Sequence, residues 1–168
     1  WENYKKEFTY GTGPDRCNFE KGTVGRQHLE AIIESGMRVA TMHTGGDKDI
    51  DLYMDAIEQA SARAGFTKEQ IREKRHAFDH SSGAPRPQQI PRLKDLGMMV
   101  SQINTVLWEP QRGAALMARK YGVEYTSWVV PRKSLVDNQV INTFEIDRPM
   151  PYKMFFFILK GINRYNDY

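Results

Sequence analysis

One cysteine, Cys17, and four histidines are all the thiol and imidazole chemistry in these 168 residues. A single cysteine excludes an internal disulfide framework and a Cys-rich zinc module, and it leaves the redox compartment open. Long hydrophobic runs are also missing. The longest, "MFFFIL" at 154–159, falls far short of the ~20 apolar residues a membrane-spanning helix needs, so no membrane span is expected. Charge of one sign is not in excess: 24 Lys and Arg face 21 Asp and Glu, for a net +3. The cations are interspersed with acids, which gives no footprint for a nucleic-acid partner. No low-complexity linker divides the chain, and the Pro-rich spots at 85–91 and 149–151 read as loops. The chain opens on Trp1 with no signal-peptide pattern, and it is expected to be part of a longer protein. The compartment therefore stays open, with the cytoplasm favoured.

What is present suits a globular domain. The chain is 40% apolar and 27% charged, and its length can bury a sizeable core. A pattern of amphipathic helix, glycine and short apolar run occurs three times. "HLEAIIES" puts Leu29, Ile32 and Ile33 on one face, stops at Gly36 and leads into "MRVATMH". "PQQIPRLKDL" spaces Ile90, Leu93 and Leu96 by threes, stops at Gly97 and leads into "MMVSQIN". "QRGAALMARKY" stops at Gly122 and leads into "VEYTSWVV". Between the first two units, Ile50, Tyr53, Met54, Ile57 and Ala60 predict a longer helix ending at Gly65, and "TKEQ" at 67–70 reads as a capping box. Strands are expected at about 37–43, 75–80, 98–104 and 140–147, with a further one at 123–130. Near-continuous apolar strands alternating with helices predict an α/β fold with a parallel sheet.

The expected strands finish on His43, His80, Asn104 and Asp147. In a βα barrel the C-terminal strand ends converge on one mouth, where functional groups collect. Two imidazoles and a carboxylate suit a divalent metal such as zinc. Asp147 at the same mouth can act as a general base toward a bound water. Plainer readings stand beside these: a strand-end His or Asn can cap a loop, and Asp147 before "RP" can open a turn. His28 and His76 read as structural, Asp47 and Asp49 as helix N-terminal acids favoured by the dipole, and the Met and Phe stripes as core.

Four segments in order carry a resemblance: "MHTGGDKDIDLYMDAIEQA", "KRHAFDHSS", "IPRLKDLGMMVSQIN" and "PRKSLVDNQVINTFEIDRPMP". Together they resemble strands five to eight of the metal-dependent amidohydrolase superfamily, in its YtcJ-like (amidohydrolase 3) branch. The resemblance covers most of residues 20–165. It implies a TIM-like (β/α) barrel, of which residues 1–168 are the C-terminal half, cleaving C–N or related bonds with one or two divalent metals, zinc first. His43 matches the strand-five metal ligand, His80 the strand-six ligand, and Asp147 the strand-eight aspartate that binds metal and shuttles the proton. Gly46 and Asp47 match a Gly-Asp that shapes the loop, and Arg75 a strand-six arginine read as structural.

Departures from the pattern are specific. No His-x-His occurs anywhere in the chain, the strand-four bridging residue and the small β-sandwich are missing, and Ile146 precedes Asp147 where the family usually has serine. The expected partners are a small-molecule substrate, the N-terminal half of the same barrel and further copies in a homo-oligomer. Arg86, Trp108 and Arg112 are candidate substrate contacts; Trp108 and Arg112, like Trp128 and Arg132, fit packing roles equally. A non-catalytic barrel-derived subunit with an assembly or binding role is the alternative. A third reading keeps the metal for decarboxylation or hydration, since one fold hosts many chemistries.

Overall fold

Cap residues and apolar spacing account for the helices. The computed structural model describes residues 19–40, 42–44, 46–81, 85–103, 118–119, 122–124 and 130–145. Helix α1 (Val24–Glu34) starts at Thr23, whose hydroxyl accepts from the Arg26 N–H, and ends before Gly36 at φ 82°. Helix α2 (Asp47–Arg63) follows strand β1 (Met42–His43), and the Asp49 carboxylate accepts the Gly46 N–H at its start. Helix α3 (Lys68–Lys74) opens with the reciprocal Thr67–Gln70 cap expected from "TKEQ". Strand β2 (Ala77–Asp79), a 3-10 turn (Pro87–Gln89), helix α4 (Ile90–Asp95), strand β3 (Met99–Ile103), helix α5 (Arg132–Asp137) and strand β4 (Ile141–Glu145) complete the described order.

The four strands form one parallel sheet in the order β1-β2-β3-β4. Parallel crossovers are right-handed, so an order that never reverses places the connecting helices on one side of the sheet. That side is the core. Phe78 and Val100 are register partners and pack with Ile50, Tyr53, Met54 and Ile57 of α2, all fully buried. Each such side chain contributes about 1.5–3 kcal/mol by leaving water. The predicted α/β class with a parallel sheet is therefore observed.

Two buried polar side chains tie the layers together. Arg26 donates to the backbone oxygens of Leu52 (2.8 Å) and Phe19 (3.2 Å), to Gln59 and to Glu30, joining α1 to α2. Burial pulls the Glu30 carboxyl up, but the guanidinium groups of Arg26 and Arg63 outweigh it and hold it below its ordinary value. The Tyr53 hydroxyl donates to Val39 O (3.2 Å) and Ala77 O (3.3 Å), and its burial raises its pKa.

Residues 37–40 and 75–76, expected in the first two strands, lie outside β1 and β2. Ahead of β1, the Val39 N–H bonds to the His76 ring at 3.1 Å rather than to a strand backbone. The Val39 carbonyl accepts the Ala77 N–H at 2.9 Å, so a backbone bond to β2 precedes the paired residues Met42 and His43. The extra strand expected at 123–130 is absent at its start, where Val123 and Glu124 form a 3-10 turn, and 125–129 lie outside the described residues. Helix α5 was not anticipated from its sequence.

Candidate metal centre

Parallel register builds the centre. His43 is the Cα partner of Asp79, and register partners in adjacent strands project to the same face. Their side chains meet there, His43 Nδ1 lying 2.5 Å from Asp79 Oδ1. Strict alternation would send the next residue, His80, to the opposite face. Instead His80 adopts φ 56°, a left-handed conformation that is uncommon for a non-glycine residue. Its ring stacks on His43 with centroids 4.0 Å apart and planes 27° apart. Asp79 Oδ1 is 3.8 Å from His80 Nδ1.

A second carboxylate arrives from β4. Glu145 accepts the His80 backbone N–H through Oε1 and places Oε2 3.5 Å from His80 Nδ1. Two imidazoles and two carboxylates thus gather at the C-terminal ends of β1, β2 and β4. One donor atom each from His43, Asp79 and His80 lie within 4.8 Å of one another. A tetrahedral zinc at 2.0–2.1 Å from its ligands needs donors roughly 3.3 Å apart, so a pair at the 4.8 Å limit would have to draw in by about 1.5 Å. Side-chain rotation can supply that at His43, whose side chain is 70% exposed. The donor set itself fits zinc or a similar divalent ion.

His43 and His80, both expected as ligands, are brought together. Asp147, expected as ligand and general base, lies outside the described residues, as do Asn104, Trp108, Arg112 and Trp128. Asp79 and Glu145 were not assigned from sequence. Asp79 stands beside His80 in the quoted "FDH". Glu145 lies two residues before Asp147 in the sequence.

Arg86 differs from its expected substrate-facing role. Its guanidinium donates to both Asp47 and Asp51 at the start of α2, and Gln89 donates to Asp47 O (2.5 Å) and Asp51 Oδ1 (2.9 Å). The 85–89 segment is thereby latched to the helix that follows β1. Gly46 sits at φ −138°, an extended conformation open to any residue, so its place does not require a glycine backbone. His76 is buried and accepts the Val39 N–H, and the exposed Arg75 closes α3 and donates to Gly97 O at 3.5 Å. Arg132 lies over the Phe144 ring at 4.0 Å, and burial pushes its pKa down to about 10.

Fold and centre define a class: an α/β protein with a parallel sheet whose strand ends carry a His–Asp–His group. Comparison with family models, curated proteins and solved structures gives no match to this chain.

Proposed function

We propose that this chain is the second half of a TIM-like barrel in a metal-dependent hydrolase of the amidohydrolase superfamily, acting on C–N or related bonds of a small molecule. The observation that carries the reading is the meeting of His43, His80 and Asp79 at the ends of adjacent parallel strands. An unreversed parallel sheet with its functional groups at the C-terminal strand ends supports the barrel.

His43 and His80 would hold the ion, zinc first. Such an ion lowers the pKa of a bound water toward neutrality and polarises the bond to be cleaved. Asp79, hydrogen-bonded to His43 Nδ1, orients that imidazole and fixes its tautomer, leaving Nε2 as the ligating nitrogen. Asp147 is the group assigned to take the proton from water and return it to the leaving nitrogen. The completing half of the barrel and a homo-oligomeric assembly belong to the same proposal.

The alternative, a non-catalytic subunit, draws on one feature: the His43–Asp79 hydrogen bond satisfies both groups without an ion. Elemental analysis of the native protein separates the two readings. Near-stoichiometric zinc or another divalent ion, lost in both His43→Ala and His80→Ala, is expected for the hydrolase. A folded, metal-free protein indifferent to both substitutions would leave the assembly role as the better account.

A further inference from the structure

His80 departs from the pattern of the sheet at the point where the proposed centre needs it. A non-glycine residue in the left-handed region persists where its surroundings over-determine it, and such residues cluster at functional sites. Two bonds set the backbone here. Ser81 N–H reaches Ser101 O at 3.3 Å, one residue beyond the register of β2 and β3. His80 N–H leaves the ladder altogether and ends on the Glu145 carboxylate.

That carboxylate comes from a strand that is not a neighbour of β2. Strand β3 lies between them, so β2 and β4 run roughly 10 Å apart, and Glu145 reaches across the end of β3. It meets His80 twice, at the backbone through Oε1 and near the ring through Oε2, 3.5 Å from Nδ1. Asp79 hydrogen-bonds the His43 ring at 2.5 Å and also lies 3.8 Å from His80 Nδ1, so its carboxylate faces both rings, whereas Glu145 holds His80 by the backbone N–H.

We propose that Glu145 is the positioning residue of this centre: it locks His80 in the left-handed conformation and thereby sets the ring against His43 in the arrangement that binds a divalent ion. The metal-binding consequence rests on the function proposed above; the effect on the ring pair does not. The chemistry requires a hydrogen-bond acceptor at Glu145 Oε1 more than a charge, which separates positioning from ligation.

Two variants and two readouts test it on the intact chain. The first readout is made without metal, by NMR: the nuclear Overhauser contact between the His43 and His80 rings and the His80 amide shift. Glu145→Gln, whose amide oxygen still accepts, is expected to keep both, and Glu145→Ala to lose them. The second readout is cobalt(II) affinity by chelator competition. Loss of a group that orients a ligand costs 10–100-fold, so Glu145→Ala is expected to bind about tenfold or more weaker, with Glu145→Gln close to native. Rings that stay together in Glu145→Ala overturn the proposal. So does an equal loss of affinity in both variants, which would make Glu145 a ligand by charge. A native protein that ignores cobalt overturns the metal reading alone, and the ring contact then decides the role of Glu145 by itself.

Discussion

The same imidazole does three different jobs in this chain according to where its strand or helix puts it. His28 is exposed on α1, His43 and His80 share two carboxylates at the strand ends, and His76 is buried with its Nδ1 accepting the Val39 N–H. Burial, reinforced by Lys74 and Arg38, lowers the His76 pKa from 6.5 to about 4. Its neutral form is therefore the folded form. The unfolded chain binds a proton near pH 6.5 that the folded chain refuses until about pH 4, so stability is full above 6.5 and falls as pH drops through that window. The shift corresponds to at most about 3 kcal/mol, and about 2 kcal/mol is expected after solvent screening. Urea midpoints from pH 7 to 4.5 should fall steeply in the native protein. His76→Asn keeps an acceptor near Nδ1 without titrating and should flatten that fall, whatever it costs at pH 7. An unchanged acid slope in His76→Asn would show that other groups carry it; Glu30, held below 4.5, adds its own loss only at lower pH.

At the scale of elements, the glycines that end helices differ in what surrounds them. Gly65 and Gly97 both have positive φ, at 74° and 64°, but a Cβ at Gly65 would meet nothing within 4 Å. At Gly97 it would sit 2.8 Å from Arg72 Cα and 2.9 Å from Arg72 O. Gly65→Ala should cost about 1 kcal/mol, the backbone penalty alone. Gly97→Ala should cost about 3 kcal/mol, because α3 must move off the α4–β3 turn. Equal chemical-denaturation midpoints for the two variants would refute the close approach. These elements were readable because they are local: Gly36, Gly65 and Gly97 sit where the apolar periodicity stops, and the Thr67–Gln70 cap spans three residues. The helix-facing residues of α2 were readable for the same reason. What stayed hidden is made of contacts between distant positions, including Arg26 with Leu52, Arg86 with Asp47 and Asp51, and Glu145 with His80. The centre was half legible: both histidines stood out as strand ends. Register alone brings Asp79 to His43, and a left-handed turn that no local pattern announces brings His80 to both.

For the whole molecule, the decisive property is the direction of the sheet. The four strands among the described residues run parallel in sequence order, so their C-terminal ends share one edge, and groups far apart in the chain collect there. A ligand held by this cluster would bind only the folded chain, because register sets Asp79 beside His43 and the left-handed turn at His80, tied to Glu145, brings in the rest. By linkage, an ion present at 100 times its dissociation constant stabilises the native state by about 2.7 kcal/mol. For a chain of this size that corresponds to a rise in Tm of roughly 5–10 °C. Calorimetry with and without zinc, followed by a chelator, measures it directly. The rise should be reversible, and it should vanish in His43→Ala with little change in the metal-free Tm, since that side chain is 70% exposed and outside the core. A rise that persists in both His43→Ala and His80→Ala would place the ion elsewhere on the surface. No rise in the native protein would remove the ion from the account and leave the strand-end cluster as a hydrogen-bonded seam joining β1, β2 and β4.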